Sequence, residues 1–292
     1  MKLLNRMICI SLILLLTLCG CGAKPDTPQV VATTMPMYEF TTHLCQGTNI
    51  RVGQLITENV SCLHDYTLQV SQMRRAERAE LVVLSGAGLD DFVLELLPDG
   101  VTVTDASKSV ALHCSEQDHD HHEGHSHEQD PHIWLSPANC KIMAQNICDS
   151  LCAQYPEHTE QFRQNLQALL LSLDALQAYG TETLSSLSCR EMITFHDGFA
   201  YFAESFDLTI LRAVEEESGS EASAADLIAL IQLVNAHELP AIFIERNGSS
   251  SAAGIIRAEA GVSVYTLDMA MSGSSYFDAM YQNINTLKEA LG

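Results

Sequence analysis

Three histidines and one aspartate stand in polar breaks between apolar stretches of this 292-residue chain: His64, His132, His196 and Asp268. Imidazole nitrogen and carboxylate oxygen are the donors of a four-coordinate zinc-type site, which takes them at about 2.0–2.2 Å. The spacings of 68, 64 and 72 residues carry no local zinc signature. A lone histidine after a strand is ordinarily a hydrogen-bonded structural residue, so these four matter only if a fold gathers them. A second cluster is local. Seven of the 12 histidines fall between His113 and His132, and residues 116–130 hold six acidic side chains among His119, His121, His122, His125 and His127. Such a tract can bind divalent transition ions weakly and in several arrangements. The chain has no H-E-x-x-H, no G-x-S-x-G and no Gly-rich phosphate loop. It also lacks a C-x-x-C pair, which removes support for a thiolate zinc finger.

The elements that must position these donors follow from apolar patterning. Residues 29–34, 50–56, 81–85 and 101–104 read as strands, with helices at 37–44, 67–79 and 89–97 between them. Residues 105–131 break the pattern and read as a solvated loop. From Ser136 the pattern is helical, first to about Gln154 and then, after Pro156, through Leu187. In that second stretch Phe162, Leu166, Leu169, Leu170, Leu173, Leu176 and Leu184 recur at spacings of three and four. A helix of about 30 residues is about 45 Å long, enough to brace two domains. Strands then return at 191–195, 209–213, 241–244 and 262–267, with helices at 198–206, 224–237, 250–259 and 276–291.

Such alternation favours parallel sheets covered by helices. The expected fold is α/β: two small lobes with mainly parallel four-stranded sheets, joined by one long rigid helix. The expected divisions are a signal peptide at 1–20, a tether at 21–28, an N-terminal lobe at 29–155 that includes the His-rich loop 113–130, a linking helix at 156–188 and a C-terminal lobe at 189–292. Ligands of open α/β sheets gather outside the carboxyl ends of the strands. His64 falls in the loop after the second strand, His196 and Asp268 directly follow strands, and His132 precedes a helix. Glu245 also ends a strand. His43, His158 and His237 read as surface or packing residues, and Trp134 as core that holds His132 in place.

Lysine and arginine number 15 against 37 acidic residues, for a formal charge of −22. Phosphate neutralisation needs a basic surface, so a nucleic-acid partner is not expected. The apolar share of 47% is that of a folded protein. Lys2 and Arg6 precede a mostly apolar run at 7–19, whose 13 residues are short of the roughly 20 that cross a bilayer. This reads as an export signal. Its ending, Leu18-Cys19-Gly20-Cys21, resembles the lipobox of bacterial lipoproteins, which implies cleavage before Cys21 and a lipid on that cysteine. Seven of the ten cysteines lie in the body, and an odd number cannot all pair internally. Export permits oxidation, yet Cys148 and Cys152, four apart on a helix, read as small buried hydrophobes, and no disulfide is assigned.

From about Val30 to the end the sequence resembles the zinc- and manganese-specific solute-binding lipoproteins of bacterial ABC transporters. Leu63-His64-Asp65-Tyr66-Thr67-Leu68 resembles the first-ligand motif, Leu84-Ser85-Gly86-Ala87-Gly88-Leu89-Asp90 the Gly-Leu turn, Asp130 to Pro137 the second-ligand motif, and His196-Asp197-Gly198-Phe199-Ala200-Tyr201-Phe202 the third. The resemblance implies two lobes on a rigid linking helix with one divalent metal in the cleft, held by His64, His132 and His196. Asp268, in Tyr265-Thr266-Leu267-Asp268, matches the usual fourth position; Glu245 and a water are the alternatives. Manganese-selective relatives commonly carry a carboxylate in place of the third histidine. With His196 there, nitrogen donors move preference from Mn²⁺ toward Zn²⁺. The His-rich loop is typical of zinc-specific members, which implies auxiliary capture by His119, His121, His122, His125 and His127.

The implied function is high-affinity extracytoplasmic zinc binding by a lipid-anchored monomer that delivers the ion to an ABC permease with its cytoplasmic ATPase. The alternatives are a manganese-binding member of the same family, a metal-buffering or adhesin lipoprotein, and a zinc hydrolase. The hydrolase is disfavoured, because a carboxylate in the fourth position excludes an activated water.

Overall fold

A computed structural model of the chain describes residues 27–58, 60, 63, 66–113, 129–215, 223–248, 250–273 and 275–292. The first half builds β1 (Val30–Ala32), α1 (Met35–Leu44), β2 (Val52–Gln54), α2 (Val70–Ala76), β3 (Leu81–Leu84) and β4 (Thr102–Asp105). Then come α3 (Pro137–Gln154) and α4 (Thr159–Leu184). The second half builds β5 (Glu191–His196), α5 (Ala200–Ser205), β6 (Thr209–Glu215), α6 (Ala224–Ala236), β7 (Ala241–Glu245), α7 (Ser251–Ala260), β8 (Ser263–Leu267) and α8 (Tyr276–Leu291).

The strands form two four-stranded sheets of the same order, β2-β1-β3-β4 and β6-β5-β7-β8. Every pairing is parallel. Parallel strands need a crossover between them, and the helices supply it. Strands β1 and β3 are buried along their whole length, which is why they read as unbroken apolar runs rather than as an alternation.

The long helix α4 has 26 residues, not 30, and spans about 39 Å. Its buried stripe is Phe162, Leu166, Leu169, Leu173, Leu176, Gly180 and Leu184, and Leu170 is half-buried. The helix ends at Leu184, where the Ser185 hydroxyl donates to the carbonyl of Glu182 (2.7 Å). One continuous apolar core joins the first sheet, α3, α4 and the face of the second sheet turned toward them. A smaller one lies between β5, β7 and helices α6 and α7.

Two expected helices differ. Residues 89–97 form a 3-10 turn at Asp91–Leu96 rather than an α-helix. The preceding loop has Gly86, Ala87 and Gly88 all at positive φ, and it is tied to the buried Asp90 carboxylate, which accepts from the amides of Ser85 (2.7 Å) and Gly86 (3.0 Å) and from the Thr33 hydroxyl. That turn consumes the residues that would have opened a helix. The helix expected at 67–79 contracts to α2, because the Gln72 side chain folds back onto the amide of Gln69 (2.7 Å) and caps it there.

Candidate metal site

The carboxyl ends of the second sheet set the chemistry. Strands β5 and β7 are parallel neighbours with Thr194 opposite Phe243, so two residues further His196 and Glu245 end adjacent strands. Their junction is the point where strand order reverses, the usual ligand crevice of such sheets. Next along, Glu245 lies opposite Leu267 on β8, and the Arg246 amide continues that ladder onto the Leu267 carbonyl (2.8 Å). Arg246 and Asp268 are therefore the next pair beyond the strand ends.

His132 arrives from the other side, ahead of a short turn at Ile133–Leu135. Its ring and its backbone are fixed by one carboxylate: Asp130 Oδ1 lies 2.8 Å from Nδ1 and 2.9 Å from the amide nitrogen. An ionised carboxylate only accepts, so Nδ1 carries the proton and Nε2 keeps its lone pair. Trp134 backs the ring at 5.3 Å between centroids and donates its indole N–H to the Met269 carbonyl (2.8 Å). Both residues are buried.

The two histidines meet. His132 Nε2 and His196 Nε2 are 3.2 Å apart, with the rings perpendicular and each residue about 1% exposed. Two nitrogens each bound at 2.0–2.1 Å to a tetrahedral ion would be about 3.3 Å apart, so the observed spacing fits that geometry. Behind the second ring, Glu245 Oε2 lies 4.0 Å from His196 Nδ1, beyond hydrogen-bond reach. A carboxylate thus stands behind each ring, and the two Nε2 atoms face each other between them.

Gly198 keeps the pocket tight. A Cβ there would sit 2.7 Å from both His196 Cδ2 and Met269 Cε. Asp268, 8% exposed, follows β8, the strand next to β7, and its carboxylate is already engaged: Oδ1 accepts from the Ala270 amide (2.8 Å) and Oδ2 pairs with Arg246 Nε (2.9 Å). Asn283 of α8 fixes its backbone from both sides, at 2.8 and 2.7 Å. Among the described residues no three His, Cys, Asp or Glu side chains converge as a metal cage. The structure therefore brings His132 and His196 together, with Glu245 behind one ring, while Asp268 follows the next strand and is held by Arg246.

His64, the fifteen-residue stretch 114–128 with His119, His121, His122, His125 and His127, Cys21 and the signal segment 1–20 all lie outside the described residues. The two ends of the His-rich stretch are described. The Asp130 amide donates to the His113 carbonyl (3.1 Å), and the Tyr201 hydroxyl accepts from the His113 amide (2.8 Å) while donating to the Asp130 carbonyl (3.0 Å). The His113 ring stacks on Tyr201 at 4.1 Å and pairs with Glu204 (3.0 Å). The stretch thus begins and ends at the residue that holds His132.

Sequence reasoning did not single out Asp130 as the orienting carboxylate, nor Arg246, Asn283 and Tyr201. The signal available for Asp130 was its place two residues before His132, where a carboxylate can fold back onto the backbone and ring together. No such signal existed for Asn283, whose role depends on how α8 packs. The described cysteines Cys45, Cys140, Cys148, Cys152 and Cys189 are all free. Burial pushes the thiols of Cys45, Cys140 and Cys148 up to about 12, so they stay neutral and are poor metal donors. His43 lies in α1, while His158 and His237 hydrogen-bond to Asn49 and Glu191 away from the pair.

Comparison with known proteins points the same way. The model of the family described as ZnuA, zinc-uptake complex component A periplasmic, matches residues 30–290. The zinc-binding lipoprotein AdcA of Streptococcus pneumoniae serotype 4 is 31% identical over 277 residues, covering 89% of this chain and 55% of that protein. The chain therefore spans about half the length of that curated relative. Among solved structures, a crystal structure of ZnuA superimposes with a TM-score of 0.81 at 27% identity, covering 91% of this chain and 100% of that one. The Zn(II)-bound ZnuA-like domain of Streptococcus pneumoniae AdcA gives 0.76 at 28% identity, covering 91% and 99%. Two matching parallel sheets, a histidine pair at the carboxyl end of β5 and a family match over nearly the whole described chain lead to one conclusion: the chain belongs to the ZnuA family of periplasmic zinc-uptake components.

Proposed function

We propose that this chain is the extracytoplasmic zinc-binding component of an ABC importer, which captures Zn²⁺ and hands it to a membrane permease served by a cytoplasmic ATPase. The observation that carries the reading is the 3.2 Å approach of His132 Nε2 and His196 Nε2, with a carboxylate behind each ring. His64 and Asp268 complete the proposed ligand set. Imidazole nitrogens outnumber oxygen donors in that set, which favours zinc over manganese. The zinc-bound AdcA structure, whose fold this chain shares, supports the same ion.

Several finer points belong to the same reading. Cys21 carries a lipid that holds the protein on the outer face of the cell membrane, in keeping with a relative named as a lipoprotein. Among the described residues no helix is long and apolar enough to cross a membrane. The protein acts as a monomer without catalysis, dividing into lobes at 29–155 and 189–292 around the linking segment 156–188. The histidines of the 113–130 loop collect zinc near the site without forming it.

The test is elemental analysis of the full chain purified without added metal, followed by competition titration against a chromophoric zinc chelator. One zinc per chain at the tight site, with manganese bound far more weakly, is expected. Absence of tight zinc binding, or its persistence in a His132→Ala/His196→Ala double variant, would overturn the reading.

A further inference from the structure

The geometry points to Arg246 as an internal competitor of the metal: its guanidinium holds the Asp268 carboxylate, weakens it as a zinc ligand, and so sets how fast the ion is released. The inference rests on the proposed zinc-binding reading and on Asp268 as the fourth ligand.

The strand ends dictate the arrangement. Residues 245 and 246 follow one another at the end of β7, so their side chains point to opposite faces. Glu245 turns to His196, and Arg246 turns to Asp268, its cross-strand neighbour beyond β8. The two act with opposite sign. A carboxylate behind an imidazole makes the ring a better donor. A guanidinium against a carboxylate takes up its charge and places a positive group beside an incoming cation. Asp268 is 8% exposed, so this pairing is only weakly screened on its side.

Arg246 also has somewhere to go. Arg246 and Asp268 line a polar cavity of about 390 Å³ together with Asn247, Ser275, Asp278 and Gln282. One guanidinium nitrogen, Nη2, already lies 3.3 Å from Gln282 Oε1, and Asp278 offers a second carboxylate in the same cavity. With half of its side chain exposed, Arg246 can move from Asp268 toward Gln282 and Asp278 when zinc arrives and return when it leaves. The backbone of Asp268 need not shift, since Asn283 clamps it from both sides. Release can then proceed by one side-chain exchange, without parting the continuous core that joins the two sheets.

The experiment measures zinc affinity by chelator competition, and the rate of zinc loss into excess EDTA, on the full chain and its Arg246→Gln, Arg246→Met, Arg246→Lys, Asp268→Asn and Asp268→Asn/Arg246→Gln variants. Thermal melting of each metal-free form checks folding. The two neutral replacements are expected to bind zinc about tenfold tighter and release it correspondingly more slowly, a size typical of outer-sphere changes. Arg246→Lys, which keeps the charge, stays within about threefold of the parent protein, a loss well under 1 kcal/mol of pairing. Asp268→Asn binds more weakly, and in that background the Arg246→Gln effect vanishes. Unchanged or weakened binding in both neutral variants, with Asp268→Asn still weakened, overturns the competitor role while leaving Asp268 a ligand. No effect of Asp268→Asn overturns both. A parent protein that binds no zinc overturns the function itself.

Discussion

Glu39 of α1, in the first half of the chain, caps the last helix of the second half: its Oε1 accepts from the Ser275 hydroxyl (3.1 Å) and its Oε2 from the amide of Tyr276, the first residue of α8. A carboxylate at a helix N-terminus satisfies an otherwise unpaired N–H and meets the positive end of the helix dipole. Around it Phe40 packs edge-on against Tyr276, with centroids 5.0 Å apart, and the Tyr276 hydroxyl donates to the Trp134 carbonyl (3.0 Å). The first half of the chain thus supplies both a cap and a packing partner to the last helix of the second half.

Glu39→Ala should therefore destabilise the whole protein rather than one half, by about 1–2 kcal/mol. For a chain of this size that lowers the melting midpoint by roughly 2–3 °C. Hydrogen exchange at Tyr276 to Asp278 should accelerate while the centre of α4 keeps its protection. An unchanged melting curve would mean that water caps α8 equally well.

Asp130 should matter to zinc binding although it is not one of the proposed ligands. Removing either proposed ligand, in His132→Ala or His196→Ala, should weaken zinc binding by at least about a hundredfold, near 3 kcal/mol. Asp130→Ala leaves every proposed ligand in place but frees the His132 ring and backbone, and should cost about ten- to a hundredfold. Glu245→Gln should act in the same direction through His196. Because protons compete with metal for imidazole, affinity should fall as pH is lowered, and the fall should be shallower in each single-histidine variant. Competition titration at several pH values reads all of this; a pH-independent affinity would exclude imidazole ligation.

Asp90 should give the fold a pH-dependent term of its own. Burial raises its carboxyl to about 6 from the ordinary 3.8, against the opposing pull of the Thr33 hydroxyl and the amides of Gly86 and Ser85. Between those two values the folded chain holds more proton than the unfolded one, so this contribution is complete below about pH 4 and is lost as pH rises through 6. Its size is roughly 3 kcal/mol. The melting difference between the parent protein and Asp90→Asn should shift by several degrees between pH 4 and pH 7, in favour of the parent at the acid end. A difference that does not change with pH would place the titration elsewhere.

The residues themselves show how far the sequence could be read. The apolar runs of β1, β3, β5 and β7 and the heptad-like stripe of α4 were legible, because burial on both faces of a parallel sheet, or along one face of a helix, leaves a direct trace in residue type. His132 and His196 were legible as candidates, since each sits at the edge of an element. Their 3.2 Å approach was not, because it depends on how chain segments 64 residues apart pack through Trp134 and Met269. The engagement of Asp268 by Arg246 was equally hidden. It arises from the β7–β8 register, which no pattern within either strand specifies.

Residues 114–128 should be removable without loss of the tight site. Their flanks are already joined, since the Asp130 amide bonds the His113 carbonyl, so a short Gly-Gly bridge can close the gap and leave Asp130 on His132. Zinc affinity at the tight site should stay within about threefold of the parent, a change of less than 1 kcal/mol. The number of weakly bound zinc ions should fall. Tyr201→Phe makes the converse change: it keeps every loop histidine and removes the hydroxyl that ties the His113 amide to the Asp130 carbonyl. Losing two hydrogen bonds at that junction costs about 1–2 kcal/mol, and part of the cost should appear as weaker zinc binding, because Asp130 orients the ring of His132, a proposed ligand. A deletion that abolishes tight binding while Tyr201→Phe leaves it untouched would relocate the site into the loop; the opposite result ties affinity to the hydrogen-bonded neck beneath it.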